Sequence, residues 1–370
     1  MKRTPIRTVA LPAVAAVALG LSLSACGAGN EKSDSSNTSS SQGPTLKGTL
    51  NGAGSSAQQA AQAAWKAGFQ SANPGVTVNY DPSGSGAGVE QFLAGAVKFA
   101  GSDSYLTDAQ LAQSKKPCNG QTALEVPDYI SPIALVFNLP GVHRLQLAPT
   151  TAAKIFAGKI TAWDDPAIKA DNPGAKLPST KITSVHRSDD SGTTANFTDY
   201  LHQAAGGVWT AAAGQTWPFK SGEGANGTSG VIEAVKNGKG AIGYADASQA
   251  GSLGKASIKV GSSYVAPDAA AAAKTADLSQ AVAGRGADDL ALTVNRTTTE
   301  SGAYPLVLVS YAIACPTYSD TSTANLVKGY LSYLTSTQGQ QAAGKAAGSA
   351  PLSDALSTKA SGATSKIVAK

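Results

Sequence analysis

The chain is poor in the residues on which most hydrolytic and metal-dependent enzymes rely. Its 370 residues include three histidines (His143, His186, His202) and three cysteines (Cys26, Cys118, Cys315). These positions are scattered and give no zinc or haem spacing. No serine stands in Gly-x-Ser-x-Gly, so the nucleophile elbow of an α/β-hydrolase is missing. Neither charge sign dominates. Three of the 29 basic residues (Lys2, Arg3, Arg7) sit in the leading segment, which leaves 26 against 24 acidic ones. That balance gives no sustained basic surface and excludes a nucleic-acid partner. The apolar run from Thr8 to Ser22 is too short, and too soon followed by polar chain, to span a bilayer comfortably.

That run instead reads as the middle of an export signal covering residues 1–25, after a basic start. It ends in Leu23-Ser24-Ala25-Cys26, which resembles a bacterial lipoprotein cleavage box. Cys26 is then the acylated, palmitate-type first residue of the mature protein. Residues 26–45 are rich in Ser, Gly and Asn, cannot bury a core and suit a flexible tether. The expected location is extracytoplasmic, with a lipid anchor in the cell membrane. In an oxidising compartment the two remaining cysteines, Cys118 and Cys315, are candidates for a disulfide.

The remaining ~325 residues exceed one ordinary domain, so two lobes are expected. Short β-rich runs (46–50, 76–80, 98–101, 130–137, 182–186, 240–244, 306–314) alternate with helical periods such as 57–69 and 89–97. The alternation predicts an α/β protein with mainly parallel sheets. The alanine run at 269–273 reads as a short surface helix or a loop. Two long apolar segments, 129–138 and 304–314, are candidates for strands crossing between lobes. Ligands in open α/β sheets sit at the carboxyl ends of strands, so the strand-to-helix turns are where chemistry belongs.

Four such turns share one composition. They are Gly52-Ala53-Gly54-Ser55-Ser56-Ala57, Ser83-Gly84-Ser85-Gly86-Ala87-Gly88, Gly101-Ser102-Asp103-Ser104 and Arg187-Ser188-Asp189-Asp190-Ser191-Gly192-Thr193-Thr194. Glycine lets backbone approach a ligand, and a hydroxyl at a helix start caps it. After the fourth turn, Phe197, Tyr200, Leu201 and Ala204 follow helical spacing, which starts a helix near Ser191. Its free N–H groups and positive dipole end suit an oxyanion, and Arg187 can add a bidentate fork. The first turn also fits a Gly-x-Gly-x-x-Ala dinucleotide fingerprint with Asp81 as its acid. Asp81 lies beyond the usual spacing of about 20 residues, and an exported protein has no supply of that cofactor.

Seven stretches in order resemble the extracytoplasmic phosphate-binding protein (PstS) family of bacterial phosphate ABC importers: LNGAGSSAQ (50–58), VNYDPSGSGAGVEQF (78–92), FAGSDSYLT (99–107), IFAGKITAWDDPAI (155–168), DNPGAKLPS (171–179), VHRSDDSGTTANFTDYL (185–201) and GAIGYADAS (240–248). The resemblance implies a type II periplasmic-binding-protein fold, two α/β lobes joined by crossover strands, with 46–138 plus 303–370 as one lobe and 139–302 as the other. It implies that inorganic phosphate lies in the interlobe cleft on Ser56, the Ala57 N–H, Ser85, Asp103, Arg187, Ser191, Gly192 and Thr193, with Asp189 holding the arginine. It further implies permease and ATPase subunits of an importer as partners, no cofactor, no metal and no catalysis. Asp190 departs from the glycine often found there and brings a second carboxylate near the site. Asp103 is expected to accept the P–OH hydrogen bond that separates phosphate from sulfate, since sulfate offers only lone pairs. The competing readings of Asp103 are an Asx turn or a cap for a helix at 106–113. A binder of another tetrahedral oxyanion and an exported phosphatase-like enzyme remain the rival functions.

Overall fold

The computed structural model describes residues 45–370. The expected export signal, Cys26 and all of the tether except Thr45 lie outside them. The first three strands, β1 (Gly48–Gly54), β2 (Val76–Asp81) and β3 (Phe99–Ser102), pair in parallel. Helices α1 (Gln59–Ala72) and α2 (Ser85–Leu93) connect them, and α3 (Asp108–Ser114) follows β3. In α1 the buried residues Ala61, Trp65 and Phe69 recur every four positions, so one stripe faces the sheet. Truncating Trp65, whose Nε1 also donates to the Gly339 carbonyl at 2.8 Å, costs about 3–5 kcal/mol.

The chain then runs through β4 (Leu124–Asn138), buried along nearly its whole length. Beyond it come β5 (Gln146–Leu147), α4 (Pro149–Phe156), α5 (Pro166–Asp171), β6 (Thr183–Arg187), α6 (Gly192–Ala204), β7 (Glu223–Ala225), α7 (Gly227–Asn237) and β8 (Ala241–Asp246). A 3-10 turn at Ala247–Gln249 leads to β9 (Gly254–Val260), β10 (Ser263–Val265), α8 (Ala269–Asp277), β11 (Gln280–Ala281) and β12 (Leu292–Thr293). The return strand β13 (Val307–Ala314) precedes β14 (Thr317–Tyr318), α9 (Thr321–Thr335), α10 (Thr337–Ala347), α11 (Asp354–Ser365) and β15 (Val368–Ala369).

The main sheet has the order β2-β1-β3-β13-β4-β8-β6-β7. Its two halves share β4, which pairs with β13 over Leu124 to Pro132 and with β8 over Ile133 to Asn138. The expected parallel pairing holds on the flanks, at β2–β1, β1–β3, β8–β6 and β6–β7, while the central pairs β3–β13, β13–β4 and β4–β8 are antiparallel. An outgoing strand and the return strand laid beside it must run in opposite directions, so the centre of the sheet is antiparallel while its flanks keep βαβ geometry. The expected segment at 304–314 forms its strand from Val307 onward.

One core, around Trp65, Phe92, Phe99, Tyr311, Tyr330 and Leu331, fills the first half. A second, around Phe137, Phe156, Trp163, Phe197, Trp209 and Tyr244, lies under α4 and α6. A smaller apolar group with Val185, Val231 and Val235 seats α7 on the other face of that half. The alanine run forms the short helix α8, which buries Ala271, Ala272, Thr275 and Ala276 on one face and exposes Ala270, Lys274 and Asp277 on the other. Alanine lets that helix lie close to the strands. Cys118 and Cys315, 197 positions apart, are joined by a disulfide within the first half. Among the described residues no helix is long and apolar enough to cross a membrane.

Candidate functional site

The carboxyl ends of β1, β3 and β6 and the starts of α2, α6 and α7 converge between the two halves of the sheet. Their loops pack so closely that side chains are excluded at several points. Gly54 sits at φ +144°, and a Cβ there would lie 2.0 Å from the Gly101 carbonyl oxygen. A Cβ on Gly88 would lie 2.3 Å from Gly54 Cα. The glycines that mimic a dinucleotide fingerprint therefore seat one loop on another, and Asp81 is exposed at the end of β2.

Ser191 caps α6 in extended conformation, and its Oγ accepts the Thr194 N–H at 3.2 Å. The first-turn N–H groups of Gly192 and Thr193 have no intrahelical acceptor. Arg187, at the end of β6 and 2 % exposed, donates from Nε to Asp189 Oδ1 at 2.7 Å and from Nη2 to Asp189 Oδ2. Its Nη1 edge is left without a protein partner among the described residues. Asp189 also accepts the Gly227 N–H at 3.0 Å. Burial works against the charge of Asp189, but Arg187 and the Gly227 N–H together hold its carboxyl below the usual value. This ion pair is bidentate and desolvated on the arginine side, unlike exposed pairs of small worth.

The serines share a logic. Ser85 Oγ accepts the Asp103 N–H at 3.1 Å, and Ser56 Oγ accepts the Thr228 N–H at 3.0 Å. With Ser191, three buried hydroxyls each take a backbone N–H on a lone pair; the protons of Ser85 and Ser191 remain to be donated elsewhere, while Ser56 Oγ also lies 3.1 Å from Thr228 Oγ1. Asp103 supplies the opposite polarity. Its Oδ1 accepts from Ser310 Oγ at 2.8 Å and its Oδ2 from Thr193 Oγ1 at 3.0 Å. Burial pushes its carboxyl up from the ordinary carboxylate range, while hydrogen bonds from Ser55, Ser310 and Thr193 and the Arg187 charge pull it back. The capping reading of Asp103 fails, because Thr107 caps α3 through a capping box with Gln110.

The arrangement brings Ser56, Ser85, Asp103, Arg187, Ser191, Gly192 and Thr193 together, all buried. Two of the expected donors are redirected. The Ala57 N–H goes to Ser55 Oγ at 3.1 Å, and the Thr193 hydroxyl goes to Asp103. Asp190 is exposed, and its Oδ1 accepts from Thr216 Oγ1 at 2.7 Å. His186 stacks on Trp217 with ring centroids 4.8 Å apart.

Sequence reading missed several members. Gly227 and Thr228 open α7 towards the site, and their run Asn226-Gly227-Thr228-Ser229 carries the same glycine-and-hydroxyl signal as the other turns. The Asn226 side chain does not cap α7. Its first N–H groups are instead met by Asp189 and, from the other half, by Ser56. Asn196 Nδ2 ties the Asp103 carbonyl at 2.5 Å to the Gly192 carbonyl at 2.9 Å. Arg296 fixes that amide through Asn196 Oδ1, while binding the Pro305 and Val307 carbonyls at 2.9 Å. A cavity of about 440 Å³ borders Asp103 and is lined by Tyr105, Asn196, Asp199, Gln215 and Arg296 among others. Among the described residues no cluster of His, Cys, Asp or Glu could hold a metal.

Fold and site together describe a two-halved α/β protein with a buried, donor-rich cluster between its halves. Known proteins agree with that class. The PBP superfamily domain matches residues 39–338. The chain is 36 % identical to phosphate-binding protein PstS 3 of Mycobacterium leprae (strain TN), covering 86 % of this chain and 88 % of that protein. It is 37 % identical to phosphate-binding protein PstS 2 of Mycobacterium tuberculosis (strain ATCC 25618 / H37Rv), with the same coverage. The solved structure of a high-affinity periplasmic phosphate-binding protein (PfluDING), bound with phosphate, superposes with a TM-score of 0.69. That match covers 84 % of this chain and 92 % of the other at 22 % identity, and it speaks for the fold alone. The chain belongs to the PstS family of phosphate-binding proteins, with the type II periplasmic-binding-protein fold.

Proposed function

We propose that this protein binds inorganic phosphate outside the membrane and delivers it to a phosphate ABC importer. The lobes are 46–138 plus 303–370 and 139–302, and they close over the anion. The observation that carries the reading is the polarity of the cluster: the hydroxyls of Ser56, Ser85 and Ser191, helix-start N–H groups and an open Arg187 edge stand with one fixed acceptor, Asp103. Donors alone would hold sulfate equally well. The Asp103 carboxylate accepts a hydrogen bond from P–OH and repels the lone pairs of sulfate, a preference of about 1–3 kcal/mol or more in a dry site. Neutral dipoles and one guanidinium balance the ligand, so the reading requires no metal.

Ser56, Ser85, Arg187, Ser191, Gly192 and Thr193 form the ligand set, with Asp189 and Thr228 positioning it. Closure presents a new surface to the permease, and the ATPase subunits act behind it. A lipid on Cys26 and the tether at 26–45 keep the protein at the membrane. Palmitate labelling that survives Cys26→Ser refutes that anchor. A competition titration of phosphate against sulfate and arsenate tests the ligand: phosphate is expected to displace sulfate, and the reverse order names another oxyanion binder. Release of phosphate from a chromogenic ester would instead point to a phosphatase.

A further inference from the structure

One buried acid has no part in the scheme above. Asp128 lies in the crossover strand β4 where the pairing with β13 slips: Ser310 faces Tyr129 and Tyr311 faces Pro127, so Asp128 is the bulged residue between them. The same Ser310 holds Asp103 Oδ1. Asp128 is fully buried; its Oδ1 accepts only a long bond from Gln58 Nε2 at 3.3 Å, and its Oδ2 has no partner. Gln58 in turn follows the Ser56–Ala57 turn, and its Oε1 lies 2.8 Å from where a Cβ on Gly101 would stand. Asp128 thus sits one layer behind the first and third loops of the anion site.

The groups facing it offer no positive charge. Asp103, from the end of β3, disfavours a second negative charge, while Tyr80 from β2 and Tyr330 from α9 are held neutral by burial and by Asp128 itself. Gln58 just before α1, Gln62 on α1 and Gln340 on α10 contribute neutral amides. Asp246 lies across the Tyr129 hydroxyl and is bonded to Ser248 and Tyr129. Of these two carboxyls, Asp103 has serine and threonine donors and the Arg187 charge, whereas Asp128 has one side-chain amide. The proton belongs on Asp128. Burial, then repulsion from Asp103, pushes its carboxyl far up from the ordinary range.

We propose that Asp128 is a positioning residue of the anion site that carries a proton, so that only Asp103 is ionised beside the ligand, and that loss of this proton sets an alkaline limit on phosphate binding. The sign follows from the raised value: the acid is neutral at low and neutral pH and gains its charge only as pH climbs. That new charge would stand behind a site already holding Asp103 and an anion. This inference rests on the phosphate reading.

The test compares phosphate affinity of the wild type and Asp128→Asn by calorimetry from about pH 6 to about pH 9.5. The isosteric amide is neutral throughout, and both proteins meet the same mixture of phosphate ions. The two affinities are expected to agree within about threefold at the acid end. Towards the alkaline end the variant is expected to bind about tenfold tighter than the wild type or better. A constant ratio across pH, or a tenfold loss in the variant at the acid end, overturns the proposal. Should the variant not fold, NMR titration of the Asp128 carboxyl carbon in the aspartate-labelled wild type decides it. A resonance that deprotonates with the exposed aspartates overturns it, and one that holds its proton past neutrality supports it. A wild type that binds no phosphate at any pH refutes the proposed function, while that resonance still reports on Asp128.

Discussion

Gly192→Ala separates folding from closure. Gly192 opens α6, and its backbone angle is one that alanine adopts freely; an isolated helix would favour the change by about 1 kcal/mol at most. The difficulty lies across the cleft. A Cβ there would meet Ser85 Oγ at 2.7 Å, Asp103 Cβ at 2.8 Å and Asp103 N at 3.0 Å. Two of these are backbone or backbone-attached atoms of the loop that holds the acceptor, so they cannot simply rotate away. Overpacking of this kind costs about 1–3 kcal/mol. At about 1.4 kcal/mol per decade, phosphate affinity should fall by roughly 5- to 150-fold. In the open state that the proposed closure requires of the empty protein, the methyl would be clear of Ser85 and Asp103. Melting temperature of the ligand-free protein should therefore stay within about 0.5 °C of wild type, a shift equal to a few tenths of a kcal/mol for a chain this size. The assays are calorimetric titration with phosphate and a thermal melt without it. Affinity within twofold of wild type would show that the halves do not need this close approach to bind. An equal loss of stability in the empty protein would make Gly192 a folding residue instead.

Other perturbations follow from the same contacts. Arg187→Ala should abolish tight phosphate binding, because it removes the guanidinium and strands the Asp189 carboxylate; near-normal affinity by calorimetry would refute its placement. Asp103→Asn should weaken phosphate by about 10- to 100-fold while sparing sulfate, and an equal loss for both ligands would remove Asp103 as the discriminator. Thr228→Val keeps the N–H but deletes the hydroxyl that lies 3.1 Å from Ser56 Oγ. It should weaken phosphate about three- to tenfold, and Thr228→Ser should restore binding; loss in both variants would point to packing. Replacing Cys118 and Cys315 with serine opens a loop of 197 positions. On loop-closure entropy that costs up to about 5 kcal/mol of stability, read by denaturant unfolding, with phosphate affinity of the folded protein unchanged. No loss of stability would show that the unfolded chain gains little freedom.

The contrast between local and distant partners explains how much could be read in advance. The cap at Ser191, the start of α6 and the stripe of Ala61, Trp65 and Phe69 are decided within a few residues by hydrogen bonding and helical period. Turn composition likewise marked Ser56, Ser85 and Asp103 as candidates. Thr228 carried the same mark and was passed over, because nothing local says which glycine-and-hydroxyl turns share a cavity. Asn196, Arg296 and Ser310 carried no mark at all. An amide in a helix, a guanidinium in a polar turn and a hydroxyl in an apolar strand acquire meaning only from the backbone carbonyls and carboxylates they meet. The antiparallel centre of the sheet was hidden for a related reason: strand direction depends on where a strand lies, not on what it contains.

By itself, then, the order of residues determined the helices and strands, their apolar faces and the glycine-and-hydroxyl composition of four turns. Only the tertiary structure decided that Ser56 would cap a helix 172 positions away, that Ser310 would hold Asp103 across 207 positions, and that Asp128 would be left in the interior with one oxygen unpartnered. Hydrogen-bonding capacity is a property of each side chain. Whether that capacity is used on the protein or kept for a ligand depends on the groups that folding places within about 3 Å of it.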